Sequence, residues 1–490
     1  MRIDNLRANW VWIVLSVSAV WSAPAHAEQK GAPGGPWELA RAMETAWRQG
    51  SVNDAAMEPI IRFYRTEAAK GNAEALYRLG LSYRDGRGVH RDMPQAARLL
   101  IKAAAGGDRK MLLTACDVAF DEASLRTIPF DALVPLVKPL KKLSDAGDPA
   151  AMGLYAGFLV HGRGGVKKDT AESTRLARLA AAKGDRRAQW RLGNSMLLGR
   201  AEGSDERVLD LLEQAAAAGE PQAMTDLGRL FLRGDSSAEL KTKGVAYAKQ
   251  AAKMDNPWGA YLLANCYHLG NGVQQDTAKA MYWYRRSAKR GYARAMASLG
   301  TAQTLGGKGA SVQAKAEGFR WLLGAAEIGL IGAMCNAGRC LELGVGVEAD
   351  PVAAATWYTR AAQGDSTEGS YLLALCYFNG AGVKADESKA MLMLEWAATK
   401  GHAKAQGMFG AKLLTGKGTK KDPVKGVWML KQAAGAGHVD SMYALGLIYH
   451  VGQPVKKDLA KAADWLDRAA RAGHPNAKAY AKKHQLQTKP

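Results

Sequence analysis

Cysteine is scarce and late in this chain. Five occur in 490 residues, the first being Cys116, so no cysteine stands near the start to carry a lipid. Cys266, Cys340 and Cys376 occupy equivalent places in copies of a repeat, about 10 Å or more apart by helix packing, beyond the roughly 7 Å a disulfide tolerates. Cys335 and Cys340 lie five residues apart on one helix and point different ways. All five read as small buried apolar side chains. Catalytic signatures are missing as well: there is no S-x-x-K, G-x-S-x-G, H-E-x-x-H or C-x-x-C. Gly416-Lys417-Gly418 lacks both the Ser or Thr and the preceding strand of a phosphate loop. Nothing in the sequence asks for a catalytic residue, a cofactor or a metal. After Trp21 no apolar run approaches twenty residues, which excludes a helical membrane span there.

The first residues read as a targeting segment. Arg2 and Arg7 precede a twelve-residue apolar run, Trp10 to Trp21, and Ala25-His26-Ala27 offers a small-x-small cleavage site. Twelve residues reach only about 18 Å as helix, short of a bilayer core of roughly 30 Å. The expectation is a signal peptide over 1–27, cleavage after Ala27 and a periplasmic or secreted chain, with 28–36 as a linker. Residues 28–490 then hold 65 basic and 45 acidic side chains, a net +20. Such a charge favours an anionic partner, such as an acidic polysaccharide, a phospholipid surface or peptidoglycan, if it is gathered on one face. Scattered over many repeats it would only keep the surface soluble, and no basic run exceeds two or three residues. Nucleic acid is not an expected partner of an exported chain.

What the chain has in abundance is a 36-residue period. Ala75-Leu76-Tyr77-Arg78-Leu79-Gly80 returns as Ala223-Met224-Thr225-Asp226-Leu227-Gly228 and as Ala405-Gln406-Gly407-Met408-Phe409-Gly410. Two small positions five residues apart recur in ten copies, always Gly, Ala or Ser. Glycine inside a helix costs about 1 kcal/mol against alanine, so its recurrence implies close backbone packing. Loops such as Gly270-Asn271-Gly272-Val273 and Gly380-Ala381-Gly382-Val383 follow, each opening on a glycine suited to a left-handed helix stop. Asp92, Asp169, Asp276, Asp350, Asp386, Asp422 and Asp458 then stand where an N-cap is needed. An alanine lies twelve residues after each, a further close-contact column. The period predicts an all-α solenoid of about ten to eleven stacked helical hairpins.

These motifs closely resemble the Sel1-like repeat family, a subgroup of the tetratricopeptide-like solenoids. The resemblance rests on A-x-A-x-x-x-L-G at 73–80, the G-x-G-V loops, the Asp followed by Lys-Ala, and the closing A-A-x-x-G. It implies a right-handed superhelix with clear repeats at 73–108 and 149–474. A degenerate unit is expected at 109–148, a capping hairpin at 37–72, and a final helix and tail at 475–490. Penicillin-binding or β-lactamase-like relatives carry paired cysteines in each repeat; this chain does not, so their activity is not carried over.

Two recurrent polar or aromatic positions are candidate sites. His402, His438 and His474 recur at 36-residue steps. Equivalent positions about 10 Å apart cannot share an ion held at about 2 Å, so a repeat-consensus role is expected. Tyr77, Trp190, Tyr261, Tyr371 and Tyr443 stand three residues before the second small position. First helices line the concave face in solenoids of this class, where such rings would offer contact area to a peptide or sugar. Packing within the array is the competing role. The functional expectation is a non-enzymatic exported scaffold for cell-envelope proteins. A component or regulator of exopolysaccharide assembly is the alternative, and a cell-wall hydrolase a distant third.

Overall fold

The structure, a computed structural model, describes residues 35–48, 52–119, 128–199, 204–306 and 309–486. The expected signal peptide and most of the linker lie outside these residues, as do the last four of the tail. The described residues hold 25 α-helices and no strand. They form an all-α solenoid of paired helices, divided into two compact units at Ala251 and Ala252.

The first unit opens with the pair Pro36–Arg48 and Glu58–Ala69. Ala73–Asp85 pairs next with Met93–Ala103, and Arg109–Ala119 is followed by Val134–Asp145. Pro149–His161 and Thr170–Ala182, then Arg186–Leu197 and Asp205–Ala217, continue the stack to Pro221–Phe231 and Ala238–Lys253. The second unit repeats the arrangement from Pro257–Leu269 and Thr277–Lys289 through to Val439–Val451 and Leu459–Arg471, and ends on Ala477–Lys483. Eleven hairpins thus follow the opening one.

Local chemistry explains why each hairpin forms. All seven aspartates of the cap column accept the N–H three residues on, at 2.9 Å. Their own N–H groups donate back to carbonyls near the end of the preceding helix, as Asp386 does to Tyr377 at 3.0 Å. One residue therefore closes the loop and starts the second helix, satisfying orphan groups at both ends. Gly380 ends its helix at φ +69°, a conformation that Cβ-bearing residues pay to adopt.

The small columns mark close contacts between paired helices. At Gly338 an added Cβ would sit 2.5 Å from Cε1 of Tyr358, whose ring is fully buried in the partner helix. The alanine column is buried at Ala104, Ala181, Ala288, Ala398 and Ala434, and half-buried at Ala362 and Ala470. All five cysteines are buried and free. Burial pushes the Cys266 thiol up to about 12 and that of Cys376 to about 11, which leaves both inert.

Candidate interaction surface

The aromatic column does something the sequence did not reveal. Three of the rings lean on the residue at or near the start of the next hairpin's first helix, and Tyr261 also lies 5.7 Å from Tyr284 of its own second helix. Tyr261 meets Tyr292 at 5.1 Å between centroids, Tyr371 lies on His402 at 4.9 Å, and Tyr443 stacks on His474 at 4.0 Å and 18°. Tyr292 and His402 occupy N-cap positions. His402 accepts the N–H of Ala405 through Nδ1 at 3.2 Å, which leaves its Nε2 to donate to Glu368 at 2.7 Å. Of the histidines at 36-residue steps, His402 caps and stacks, His474 stacks, and His438 Nδ1 lies 2.8 Å from Ser441 Oγ. Among the described residues no group of His, Cys, Asp and Glu could hold a metal ion.

Tyr77 is only 5% exposed, with Lys110 over its ring. Trp190, Tyr261, Tyr371 and Tyr443 are half-buried. In neither unit do the rings make an unbroken ladder: Gly153 and Thr225 interrupt the column in the first, Ala297, Cys335 and Gly407 in the second. Where Gly407 stands, an added Cβ would lie 2.7 Å from His438 Nδ1, so the N-cap side chain fills the ring's place.

Around Trp190 the first-helix face of the first unit gathers a polar network. Trp190 Nε1–H and Asn194 Nδ2 donate to Oδ2 of Asp226 at 2.8 and 2.9 Å, and Arg229 donates to Oδ1 at 2.8 Å. Asp226 is 8% exposed, so three donors compensate a desolvated carboxylate. On the same helix as Trp190, Arg187 reaches back over an intervening hairpin to grip Asp117 with two bonds of 2.6 and 2.8 Å. Arg191 follows it and donates to the carbonyl of Gly153 at 2.8 Å. Gly153 stands in the aromatic column, where an added Cβ would lie 3.3 Å from Asp185 Oδ1 and 3.4 Å from Ala188 Cβ. Burial pulls the Arg191 guanidinium below its ordinary range.

Glu220 completes the cluster. It occupies the N-cap position of Pro221–Phe231 but makes no side-chain cap bond, unlike Asp185 one hairpin earlier. Its carboxylate is almost wholly buried, 3.5 Å from Arg186 Nε and 3.7 Å from Arg187 Nε, and Oε2 accepts no hydrogen bond. Burial pushes this carboxyl above the ordinary glutamate range against the pull of both arginines. Asp117, Arg187, Asn194, Glu220, Asp226 and Arg229 were not singled out from the sequence. The available signal was negative, in that each breaks or falls outside a repeated column. The arrangement is suited to polar recognition, offering paired charges and an amide beside a half-exposed indole. It holds no nucleophile next to a base.

Comparison with known proteins agrees with this architecture. A family model described as the Sel1 repeat matches at 73–108, 149–185, 186–220, 221–256, 259–292, 331–366, 367–402, 404–438 and 439–474. The hairpin of Ala293–Thr304 and Val312–Glu327 forms without a match of its own. A crystal structure of a protective antigen present in uropathogenic Escherichia coli strains, displaying an SLR fold, is 26% identical with a TM-score of 0.56. It covers 86% of this chain and 90% of that one. A Sel1 repeat protein from Oxalobacter formigenes is 26% identical with a TM-score of 0.50, over 64% of this chain and 92% of that one. Among curated proteins, chitin synthase regulatory factor 3 of Schizosaccharomyces pombe is 30% identical over 210 residues, 41% of this chain and 22% of that protein. A chitin synthase regulator of Saccharomyces cerevisiae is 29% identical over 209 residues, 40% and 30% respectively. The chain thus spans less than a third of the length of these two relatives.

Proposed function

The chain belongs to the Sel1-repeat family of helical scaffolds for protein–protein interaction, and we propose that it serves as an exported scaffold that binds proteins of the bacterial cell envelope. The observation that carries the reading is the division of labour along the first helices. The columns that repeat are consumed in capping and stacking. The side chains that differ, Asp117, Arg187, Trp190, Asp226 and Arg229, gather on one face of the first unit. Export is supported by the basic start, the short apolar run and the Ala25-His26-Ala27 site.

Two measurements test it. Amino-terminal sequencing of the protein from its native cell should begin at Glu28, and an intact Met1 in the cytosol would overturn the export. Site-specific crosslinking from position 229 in envelope fractions should give a discrete protein adduct that Arg187→Glu abolishes. A second reading, regulation of an exopolysaccharide synthase, is supported by the two fungal relatives named as chitin synthase regulators. It predicts that deleting the gene changes polysaccharide output while leaving total envelope protein unchanged.

A further inference from the structure

The positive charge is not spread evenly. Residues 403–486 hold fifteen basic and five acidic side chains, so these 84 residues carry half of the net +20 of residues 28–490. Much of it sits on one edge of the second unit, formed by the loops that join first to second helices. Each loop packs against the start of the preceding hairpin's second helix: a Cβ at Gly382 would collide with the carbonyl of Pro351, and one at Gly418 with the Glu387 side chain. Their charge is concentrated in the last two. Loop 270–275 carries none, 344–349 has only Glu348, and 380–385 has only Lys384. The last two carry Lys417, Lys420 and Lys421, then Lys456 and Lys457.

All five lysines are exposed, and among the described residues none is ion-paired. Nearby lysines behave differently: Lys412, Lys425 and Lys461 each hold a carboxylate within 3.4 Å. The last helix brings more positive charge to the same end. His450, one residue before Val451, accepts or donates at 2.9 Å to Tyr480 and lies 4.9 Å from the ring of His484, next to Lys482 and Lys483. Interleaved with the lysines are aliphatic side chains turned to solvent: Val424 is 83% exposed, Val451 63% and Leu459 50%. Val451 directly precedes the second lysine loop, and Val424 and Leu459 follow within three residues of the last lysine of theirs.

We propose that this edge docks on the surface of an anionic lipid bilayer. Unpaired lysines on one rim are complementary to anionic headgroups. The exposed aliphatics decide between a bilayer and a soluble polyanion, because a polymer of sugar acids offers them nothing, whereas the headgroup–acyl boundary removes them from water. The contact is peripheral, since among the described residues no helix is long and apolar enough to cross a membrane. It is independent of the protein-binding face proposed above.

The test uses the purified full-length mature protein and vesicles of phosphatidylcholine with about 30 mol% phosphatidylglycerol, for which each lysine at the surface is worth about fivefold in binding. Binding is expected to these vesicles and not to pure phosphatidylcholine. The triple variant Lys420→Glu, Lys421→Glu and Lys457→Glu should bind about 100-fold more weakly. The charge-matched control Lys102→Glu, Lys138→Glu and Lys142→Glu, in the first unit, should lose less than about fivefold. Val424→Ser with Val451→Ser should weaken binding severalfold further when salt screens the lysines. Circular dichroism confirms that each variant is folded. An equal loss in the control, or equal binding to neutral vesicles, overturns the proposal. So does an unaffected serine variant whose vesicle binding is displaced by polygalacturonate, which would identify a soluble polyanion site instead.

Discussion

Two glycines on one helix, Ile331–Leu343, should respond to alanine with opposite signs. At Gly338 the new Cβ would lie 2.5 Å from Cε1 of Tyr358, 2.9 Å from Cδ1 and 3.1 Å from Cζ. That ring is 0% exposed and its hydroxyl donates to Glu342 at 2.7 Å, so it has nowhere to go. Overpacking of this kind costs about 1–3 kcal/mol, and a rigid anchored ring argues for the upper end. Alanine returns about 1 kcal/mol through helix propensity, which leaves a net loss of about 2 kcal/mol. Gly332 has nothing within 4 Å of an added Cβ, and Gly332→Ala should stabilise by about 0.4–1 kcal/mol. Repeat arrays need not unfold as one unit, so hydrogen exchange of peptides within 331–363 is the appropriate readout beside urea unfolding. Gly338→Ala should accelerate exchange there and Gly332→Ala slow it. Adding Tyr358→Leu to Gly338→Ala should recover at least about 1 kcal/mol relative to additivity, because the two act on one contact. A Gly338→Ala protein as stable as the parent would refute the close-contact account of the glycine columns.

Four further outcomes follow from the polar groups and thiols. Glu220 has its folded-state pKa raised, chiefly by burial, so ionising it opposes folding: stability falls as pH rises through the unfolded glutamate range of about 4.3. Glu220→Gln should therefore raise the urea midpoint at neutral pH, and the gain should vanish below about pH 4. Asp148 has the opposite sign, its carboxyl lowered by Arg109 and the N–H of Ala151 against the cost of burial. Its contribution is present above the unfolded aspartate range and is lost on acidification, so Asp148→Asn should flatten the acid limb of the same titration. Trp190→Phe removes one donor from Asp226 while Asn194 and Arg229 remain, and should cost about 1 kcal/mol by urea unfolding. All five thiols should be silent to a thiol reagent in the native protein and react once it is denatured; a native thiol that reacts promptly would contradict their burial.

The contrast between Asp386 and Glu220 shows how far the sequence reaches. Asp386 accepts an N–H three residues on, and its own N–H donates nine residues back. A contact closed within a single hairpin must recur with every copy, so it appears as a column that can be read directly. The glycine stops and the small positions are legible for the same reason, and with them the all-α solenoid. Glu220 stands in the same kind of position, yet its environment comes from Arg186 and Arg187 of the preceding hairpin. The grip of Arg187 on Asp117 spans 70 residues and reaches past a whole intervening hairpin. The aromatic column, visible as a period, owes its partners to the next hairpin, where Tyr292, His402 and His474 differ in chemistry. The sequence by itself thus determined how each hairpin is capped, turned and closed, because those forces act over a few residues. Which side chains are brought together, and which lysines are left facing solvent, only the tertiary stack decided, because that depends on what each hairpin finds on its neighbour.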